Sequence, residues 1–426
     1  MPPTHVHAER SSASPASTER IGRRLAETAD RGPAVPPDGG ERPLHAVVLP
    51  PGPALFDAVR AALGGDGPAV LPLSPALPAA ALRAALGALR PTHVVTPEGV
   101  RRHPGGVPAP DQVAVVIATS GSTGAPKGAQ LTAEALRASA SASLRRLGAQ
   151  PGERWLCCLP PDHISGMQVL VRSLLAGAEP IVHPGFSPEA VLSSGAAHVS
   201  LVPTQLRRLL GHGAGPGVFR TILLGGAAAA PALLTAARDA GARVVTSYGM
   251  SETGGGCVYD GVPLDGVDVK VGADGRIRIA GPVLFSGYRL RPDLTGAALE
   301  GDWFVTSDLG DLSGGRLGVL GRADDVVNTG GNKVVAAEAA GVLSGHPAVA
   351  DAAVVGRPDP EWGERVVAVV VPADPKAPPT LAALRAYAKE RLPAYAAPKE
   401  LVLLAEFPLL PNGKPDLQAI RRASYK

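Results

Sequence analysis

Short apolar runs and segments of helical spacing alternate through the N-terminal part of the chain. The runs are rich in Val, Ile and Leu and are bounded by Gly, Pro or polar residues, which is typical of buried strands. The predicted strands are LHAVVLP (44–50), THVVTP (92–97), VAVVIATS (113–120), RWLCCLP (154–160), EPIVHP (179–184), HVSLVPT (198–204), TILLGGA (221–227) and RVVTSYG (243–249). The predicted helices between them include FDAVRAALG (56–64), AALRAALGAL (80–89), MQVLVRSLLAG (167–177) and PALLTAARDAG (231–241). This alternation predicts an α/β fold with mostly parallel sheets.

The pattern changes in the last third of the chain. VDVKVGADGRIRIAG (267–281) and GRLGVLGR (315–322) predict a small antiparallel region with D-G and G-G turns. The strand RVVAVVVP (365–372) and the helix LAALRAYAKERL (381–392) belong to a compact α+β segment that follows. We expect a large α/β domain and a smaller C-terminal domain, preceded by a segment without periodicity. The predicted parts are a disordered leader at residues 1–42, the large domain at 43–321 and the small domain at 322–426.

Composition excludes several functional classes. The net charge is +3 and aromatic residues make up 4% of the chain, so neither a basic patch nor base stacking favours a nucleic-acid partner. The three cysteines, Cys157, Cys158 and Cys257, form no C-x-x-C pair, which indicates a reducing compartment and argues against a disulfide framework or a zinc site. We find no membrane-spanning run and no apolar signal core. The sequence therefore predicts a soluble cytoplasmic protein, and it leaves a homodimer open.

The stretch TSGSTGAPKG (119–128) directly follows a predicted buried strand. Its glycines and hydroxyl residues allow backbone N–H groups to converge on an anion, and Lys127 adds a positive charge. It is not the P-loop of nucleotide hydrolases, because Lys127 follows Pro126 and precedes Gly128. Ligands bind at the carboxyl ends of parallel strands, so we interpret this stretch as a phosphate-binding loop rather than a solvated turn.

Further segments lie in a fixed order along the chain and resemble those of the adenylate-forming superfamily, which includes acyl-CoA synthetases, luciferases and adenylation domains. They are SYGMSETG (247–254), TSDLG (306–310), GRADDVVNTGGNKV (321–334) and PNGKPD (411–416), after TSGSTGAPKG. The resemblance covers nearly all of residues 45–420. It implies that ATP, Mg²⁺, coenzyme A and a small carboxylic acid are the ligands. The implied reaction forms an acyl-adenylate and pyrophosphate, and then a thioester.

The resemblance also assigns roles to individual residues. Glu252 is implied to bind Mg²⁺, which prefers carboxylate oxygens, and Lys414 to enter the site and bridge the carboxylate and the α-phosphate. Tyr248 is implied to stack on adenine, Asp308 to bind the ribose hydroxyls, and Asp324 to be the hinge about which the small domain rotates. The full set implied to bind ATP is Thr119, Ser120, Gly121, Ser122, Thr123, Gly124, Lys127, Gly225, Gly226, Ala227, Tyr248, Gly249, Ser251, Asp308 and Arg322.

Three stretches indicate which carboxylic acid is the substrate, because they resemble o-succinylbenzoate–CoA ligases of menaquinone biosynthesis. They are DHISGMQVLVRSLLAG (162–177), HVSLVPTQLRRLL (198–210) and YGMSETGGGCVYDGVPLDGV (248–267). An aromatic diacid needs a cation for its second carboxylate, and we favour Arg208 over Arg207, with two solvated arginines as the alternative. The residues implied to bind or act on the acid are His163, Ser165, Arg208, Gly254 and Gly255. His163 is also a candidate catalytic residue near the thiol route, with a structural role in the core as the alternative.

The segment NKVVAAEAA (332–340) departs from the superfamily pattern E-x-x-x-P-x-E. Asn332 stands in place of the acid and Ala336 in place of the proline, while Glu338 remains. In relatives this segment faces the thioester-forming state, so the departure concerns the coenzyme A step. Three alternatives therefore stay open: a ligase for another aryl or acyl acid, an enzyme that loads a carrier protein, and a nucleotide-binding pseudoenzyme.

Overall fold

The computed structural model describes residues 40–120, 126–212, 215–410 and 413–425. The helices of these residues are α1 (Pro53–Gly64), α2 (Ala79–Leu89), α3 (Ala133–Leu147), α4 (Ile164–Leu175), α5 (Pro188–Leu192), α6 (Pro203–Leu210), α7 (Pro231–Asp239), α8 (Pro292–Ala298), α9 (Ala336–Leu343), α10 (Leu381–Lys389) and α11 (Leu417–Ala423). Short 3₁₀ turns lie at Pro216–Val218, Ser251–Thr253 and Ala394–Ala396. None of the helices in these ranges is long and apolar enough to cross a membrane.

The strands fall into two large sheets, two smaller ones and one short pair. Those up to residue 263 are β1 (Glu41–Arg42), β2 (Leu44–Val47), β3 (Ala69–Pro72), β4 (His93–Thr96), β5 (Gly99–Arg102), β6 (Ala109–Pro110), β7 (Val113–Ser120), β8 (Pro126–Thr132), β9 (Trp155–Cys157), β10 (Ile181–Val182), β11 (His198–Leu201), β12 (Thr221–Leu224), β13 (Val244–Met250), β14 (Gly255–Tyr259) and β15 (Val262–Pro263). The later ones are β16 (Asp268–Val271), β17 (Arg276–Ala280), β18 (Gly287–Tyr288), β19 (Leu299–Glu300), β20 (Trp303–Ser313), β21 (Arg316–Arg322), β22 (Val326–Thr329), β23 (Asn332–Val335), β24 (Val349–Asp359), β25 (Gly363–Pro372) and β26 (Glu400–Leu403).

Both large sheets contain a run of parallel strands, with antiparallel strands at both edges of the first sheet and at one edge of the second. The first runs in the order β18-β8-β7-β3-β2-β4-β5, and its parallel part is β7-β3-β2-β4. The second runs β10-β9-β11-β12-β13-β14-β15 and is parallel from β10 to β13. The α/β class with mostly parallel sheets, predicted from the alternating pattern, is confirmed.

One large hydrophobic core joins the two sheets. It includes Val115 of β7, Leu136 of α3, Leu170 of α4 and Val258 of β14, all of which are buried. A parallel strand covered on both faces needs an apolar side chain at nearly every position, which explains the continuous apolar runs. Packing in this core thereby fixes the positions of the ends of the strands β7, β12 and β13.

The remaining strands form two smaller sheets. One is antiparallel, with the order β16-β17-β20-β19 and β21 paired with β20. The other runs β23-β22-β25-β24, with β26 parallel to β25, and has buried residues on both of its faces. Strand pairing therefore changes between β21 and β22. The predicted domain division at residue 322 lies at the end of β21. Residues 1–39 of the predicted leader lie outside the described residues, and its predicted end at residue 42 is wrong, because residues 41–42 form β1 and pair with β6.

Strand β8 shortens the predicted phosphate loop. It is antiparallel to β7, with Thr119 opposite Lys127 and Ser120 opposite Pro126. The strand predicted at 113–120 is confirmed as β7, whereas our interpretation of residues 126–128 as part of the loop is wrong, because they begin β8. Alternation in β8 drives the pairing, because Ala129 and Leu131 are buried against the core. Lys127 consequently projects from a strand that is fixed along its length.

Candidate active site

Three side chains from distant parts of the chain meet near the end of β13. The Lys127 ammonium donates a hydrogen bond to the Tyr288 hydroxyl over 2.9 Å, and this hydroxyl donates to Glu252 Oε1 over 2.7 Å. Lys127 Nζ also lies 3.4 Å from the same carboxylate oxygen and 4.2 Å from the centre of the Tyr288 ring. Burial, and then the negative charge of Glu252, raises the pKa of Tyr288, so its hydroxyl keeps its proton and acts as a donor.

The backbone around Glu252 is held tightly. Thr253 Oγ1 accepts from the Met250 N–H over 2.9 Å and donates to the Gly255 carbonyl over 2.7 Å, which closes the 3₁₀ turn. A β-carbon at Gly249 would lie 2.0 Å from the Gly255 carbonyl oxygen, so only glycine fits there. Glu252 is 7% exposed. The neighbouring Ser251, which is predicted to bind ATP, opens the same turn.

A second chain of contacts links the predicted adenine, ribose and hinge residues. The Tyr248 hydroxyl donates to Asp308 Oδ2 over 2.8 Å, and Arg322 Nη1 lies 3.9 Å from Asp308 Oδ1. Arg322 also forms a bidentate pair with Asp324, with both N···O distances 2.8 Å. Burial raises the pKa of Asp308, whereas the hydrogen bonds from Arg322 lower the pKa of Asp324. Asp308 is therefore a poorly solvated carboxylate that gains from additional hydrogen-bond donors.

Lys414, from the C-terminal part of the chain, lies against the end of β12. Its Cε would be 2.8 Å from a β-carbon placed on Gly226, a residue with φ +85°. Burial lowers the pKa of Lys414. The pKa of His163 is also lowered, mainly by burial; the charge of Asp162 opposes this shift and that of Lys414 adds to it. Lys414 and His163 are thus electrostatic neighbours, as expected if both act at one reaction centre.

Gly225 and Ala227, which are also predicted to bind ATP, lie on either side of Gly226 in the turn after β12. Gly225 donates its backbone N–H to the Leu201 carbonyl over 3.0 Å, which ties the turn to the neighbouring parallel strand. Ala227 is exposed. Of the predicted phosphate loop, Gly121, Ser122, Thr123 and Gly124 lie outside the described residues, as does the side chain of Ser120. The Thr119 hydroxyl donates to the Lys127 carbonyl over 3.3 Å.

The residues predicted to bind the acid differ from one another in their exposure to solvent. Ser165 is exposed in the first turn of α4, whereas Gly254 and Gly255 are buried. A β-carbon on Gly255 would lie 3.0 Å from Gln168 Cγ of the same helix, and both glycines have positive φ. Arg208 is exposed and its guanidinium lies 5.0 Å above the Phe186 ring. Its predicted contact with a carboxylate stays a prediction.

Arg207 has a different environment from Arg208. It forms a bidentate pair with Asp351 of β24 and donates to the Ala350 carbonyl over 3.1 Å. Helix α6 therefore presents one arginine to the C-terminal part of the chain and leaves the next one exposed. The preference for Arg208 as the residue that binds the second carboxylate stays a prediction.

Comparison with known proteins identifies the family to which this chain belongs. The sequence profile of the AMP-binding enzymes matches residues 101–289, and that of their C-terminal domain matches residues 338–414. A probable 2-succinylbenzoate–CoA ligase from Mycobacterium tuberculosis is 44% identical over 397 residues, covering 89% of this chain and 98% of that protein. The chain belongs to the AMP-binding enzyme family.

Solved structures of family members agree with this assignment. The o-succinylbenzoate CoA synthetase of Bacillus subtilis, in complex with its acyl-adenylate intermediate, has a TM-score of 0.77 and 29% identity, covering 94% of this chain and 90% of that one. The same enzyme in complex with ATP and a magnesium ion has a TM-score of 0.78 and 28% identity, covering 95% and 93%. The predicted membership of the adenylate-forming superfamily is confirmed.

Two residues that contact this family site were missed by sequence reasoning. Tyr288 bridges Lys127 and Glu252, and Thr204 Oγ1 donates to the Gly413 carbonyl beside Lys414 over 2.7 Å. Tyr288 lies in SGYRLRP (286–292), a segment without strong periodicity. Its only local signal is a tyrosine next to glycine. Its position follows from pairing with β8, more than 150 residues earlier, which no local pattern encodes.

The residues present fit a magnesium ion that arrives with a nucleotide. In the described ranges, no three His, Cys, Asp or Glu side chains lie close enough together to hold a metal. Mg²⁺ that accompanies phosphates commonly needs only one or two protein carboxylates. The two contacts described above both use Oε1 of Glu252, and neither uses Oε2. Glu252 is therefore suitable as a single carboxylate ligand.

Proposed function

We propose that the chain is an ATP-dependent acid–CoA ligase that converts o-succinylbenzoate to o-succinylbenzoyl-CoA through an acyl-adenylate. The observation that carries this proposal is the position of Lys414. Its side chain reaches across from the C-terminal domain to Gly226 and lies close enough to His163 to affect its pKa. A partly buried lysine at this place would supply a positive charge where a carboxylate and an α-phosphate would meet.

The first half-reaction follows from the surrounding groups. The acid's carboxylate oxygen attacks the α-phosphorus, and pyrophosphate leaves with the electron pair of the bond that breaks. Lys127 neutralises charge on the phosphates, and Lys414 stabilises charge that develops between the acid and the α-phosphate. Glu252 would hold Mg²⁺, which would supply charge neutralisation at the phosphate oxygens. The reaction requires alignment and charge neutralisation rather than covalent catalysis.

The nucleotide is positioned by the Tyr248–Asp308 pair. The ring of Tyr248 stacks on adenine while its hydroxyl fixes Asp308, which accepts from the ribose hydroxyls. Because these two side chains are hydrogen-bonded, a shift of the residue that contacts the base also shifts the residue that contacts the sugar. Arg322 approaches Asp308 within 3.9 Å and extends this unit to the predicted hinge.

The identity of the acid rests on the relatives. The 44% identical protein from Mycobacterium tuberculosis, matched over 98% of its length, is named for 2-succinylbenzoate. We propose that Arg208 binds the second carboxylate of this diacid, and that His163, Ser165 and the glycines 254 and 255 surround its aromatic keto part. The exposed Arg208 guanidinium is available for a bidentate contact with a carboxylate.

The second half-reaction transfers the acyl group to the thiol of coenzyme A and releases AMP. The departures after the hinge are compatible with the fold of this segment. Ala336 begins α9 and is 1% exposed, so a small apolar residue packs where relatives have proline. Asn332 lies at the exposed turn between β22 and β23, where its side chain donates to the Gly330 carbonyl over 3.2 Å. In this structure Asn332 is exposed and Ala336 packs in the apolar core of the C-terminal part.

The proposal is tested by acid-dependent release of pyrophosphate from ATP. We expect release with o-succinylbenzoate and Mg²⁺, and a loss of about 10²–10³-fold in the Lys414→Met variant, as typical for a lost transition-state donor. Release without thioester in the presence of coenzyme A would favour the carrier-loading alternative. Absence of release with any acid would favour the pseudoenzyme. A cytoplasmic location and a homodimer also stay predictions, and light scattering of the purified protein tests the latter.

A further inference from the structure

Tyr288 makes contacts that the fold alone does not require of a tyrosine hydroxyl. The oxygen accepts from Lys127 over 2.9 Å and donates to Glu252 over 2.7 Å. It therefore lies between a cation and an anion that are themselves only 3.4 Å apart. A phenylalanine would preserve the ring but could form neither hydrogen bond.

The position of this hydroxyl is set by elements that lie outside the site. The backbone of Tyr288 pairs with Ala129 of β8, two residues after Lys127, and its N–H donates to Thr295 Oγ1 over 2.8 Å. Its ring packs edge-on against Phe285, with the ring centres 4.8 Å apart. Tyr288 is thus anchored through its backbone and its ring, and the hydroxyl needs no ligand to be in place.

The three contacts have a consequence for ligand binding. Lys127 and Glu252 neutralise each other in this structure, yet the proposed function requires them to bind ligands of opposite charge. If phosphate drew Lys127 away alone, the buried Glu252 would lose its counter-charge, which is costly in a poorly solvated site. If Mg²⁺ drew Glu252 away alone, Lys127 would lose its counter-charge. The exchange is balanced when Mg²⁺ and the polyphosphate arrive together.

We propose that Tyr288 is a positioning residue that couples the binding of Mg²⁺ and ATP. This role rests on the proposed function. When Lys127 turns to the phosphates, the Tyr288 hydroxyl remains bonded to Oε1 of Glu252. It thereby keeps the carboxylate oriented with Oε2 directed at the incoming cation. Without the hydroxyl, the carboxylate rotates and Lys127 pairs with it more strongly, so Mg²⁺ must compete with the lysine.

The test compares two tyrosine-to-phenylalanine variants. Tyr288→Phe removes the bridging hydroxyl. Tyr259→Phe is a matched control, because Tyr259 is also buried and its hydroxyl lies 2.7 Å from Ser143 Oγ, away from the residues assigned to ATP. Calorimetry measures ATP affinity over a series of Mg²⁺ concentrations, and circular dichroism measures Tm. Both are readouts that do not depend on turnover.

In Tyr288→Phe we expect the half-saturating Mg²⁺ concentration for ATP binding to rise about tenfold or more, the scale of a hydrogen bond to a charged group. We expect Tyr259→Phe to match the wild type in its Mg²⁺ dependence, whatever its Tm. In a Lys127→Met background, where the competing ammonium is absent, the Tyr288→Phe change should have a smaller effect. This double-mutant comparison isolates the coupling from any general loss of stability.

Each contrary outcome shows which of the two proposals is wrong. If the wild type binds Mg·ATP and Tyr288→Phe shows the same Mg²⁺ dependence, the role of Tyr288 is wrong and the proposed function stands. An equal shift in Tyr259→Phe would also overturn the role, since it would reflect stability alone. If the wild type itself fails to bind Mg·ATP, both proposals are wrong.

Discussion

Thr204 and Gly413 connect the two parts of the molecule next to the proposed reaction centre. The Thr204 hydroxyl donates to the Gly413 carbonyl over 2.7 Å, although the two residues are 209 positions apart. Thr204 lies in the first turn of α6, and Gly413 immediately precedes Lys414. The side chain of Lys414 is therefore delivered to Gly226 by a backbone that is tied to the large domain.

We expect Thr204→Val to slow acyl-adenylate formation by roughly threefold to tenfold, the scale of one neutral hydrogen bond. The substitution keeps the shape and removes only the donor to Gly413. ATP affinity should not change, because no predicted nucleotide contact involves Thr204. Rapid-quench measurement of the first turnover checks the rate, and calorimetry checks the affinity. An unchanged rate would mean that Lys414 is positioned without this bond.

Gly226→Ala should impair the same step by a different route. The new β-carbon would lie 2.8 Å from Lys414 Cε and 3.2 Å from Val202 Cγ1, at a φ of +85° that costs an alanine about 1–2 kcal/mol. The flexible lysine side chain is the partner that must move. We expect a larger loss of adenylate formation than of Tm. Gly177→Ala is the control, since its φ is +69° and a β-carbon there meets nothing within 4 Å.

If Gly226→Ala and Gly177→Ala lowered Tm equally and left adenylate formation equally intact, the contact between Gly226 and Lys414 would have no functional weight.

The Arg207–Asp351 pair should help to hold the C-terminal domain in the arrangement seen here. It is bidentate and partly buried, with the two side chains 36% and 31% exposed. We expect Asp351→Asn to accelerate limited proteolysis near the predicted hinge and to lower the adenylation rate by about twofold to fivefold, in keeping with modest ion pairs. Asp293→Asn breaks a more exposed bidentate pair with Arg291 at the start of α8, and should do neither.

The pair would be irrelevant to domain arrangement if Asp351→Asn and Asp293→Asn were cleaved at the wild-type rate.

Asp308→Asn should stabilise the fold while it weakens nucleotide binding. Burial raises the pKa of Asp308, so the native state binds a proton more readily than the unfolded state does. Its contribution to stability is therefore present at low pH and is lost as pH rises through the raised pKa. We expect the variant to have the higher Tm at pH 8, and the difference to shrink as pH falls. Thermal scans that extend from pH 8 down to the ordinary pKa of aspartate, 3.8, measure this.

The amide oxygen of Asn can still accept from Tyr248, so the adenine side of the site stays in place. The loss of a charged acceptor for the ribose should weaken ATP binding by about tenfold to a hundredfold. A lower Tm for Asp308→Asn at pH 8, or a difference that does not vary with pH, would be inconsistent with an unfavourably buried charge.

The local pattern of apolar and polar residues predicts much of the fold. Strands such as VAVVIATS and TILLGGA are apolar because both faces are covered, and this signal does not depend on the rest of the chain. It fails at the start of β8, where we interpret PKG (126–128) as the end of a glycine-rich loop. Its strand character comes from pairing with β7, so the loop's length depended on a contact and not on composition.

Site residues were predictable where a motif fixes their backbone. Glu252 and Asp308 lie in short segments whose order along the chain identifies them. Tyr288 and Thr204 belong to no such segment, and each acts through a partner that is distant in sequence. The choice between Arg207 and Arg208 was likewise open, because adjacent helical positions differ only in direction and the partner of Arg207, Asp351, lies in another domain.

The central claim is the conversion of o-succinylbenzoate to its coenzyme A thioester, and mass spectrometry of the products tests it most directly. Purified protein is mixed with ATP, Mg²⁺ and o-succinylbenzoate, with and without coenzyme A, beside benzoate and a medium-chain fatty acid. We expect the acyl-adenylate without coenzyme A, o-succinylbenzoyl-CoA with it, and neither product from the other acids. Thioester from benzoate or the fatty acid but not from o-succinylbenzoate, or no adenylate from any acid, would contradict the proposed function.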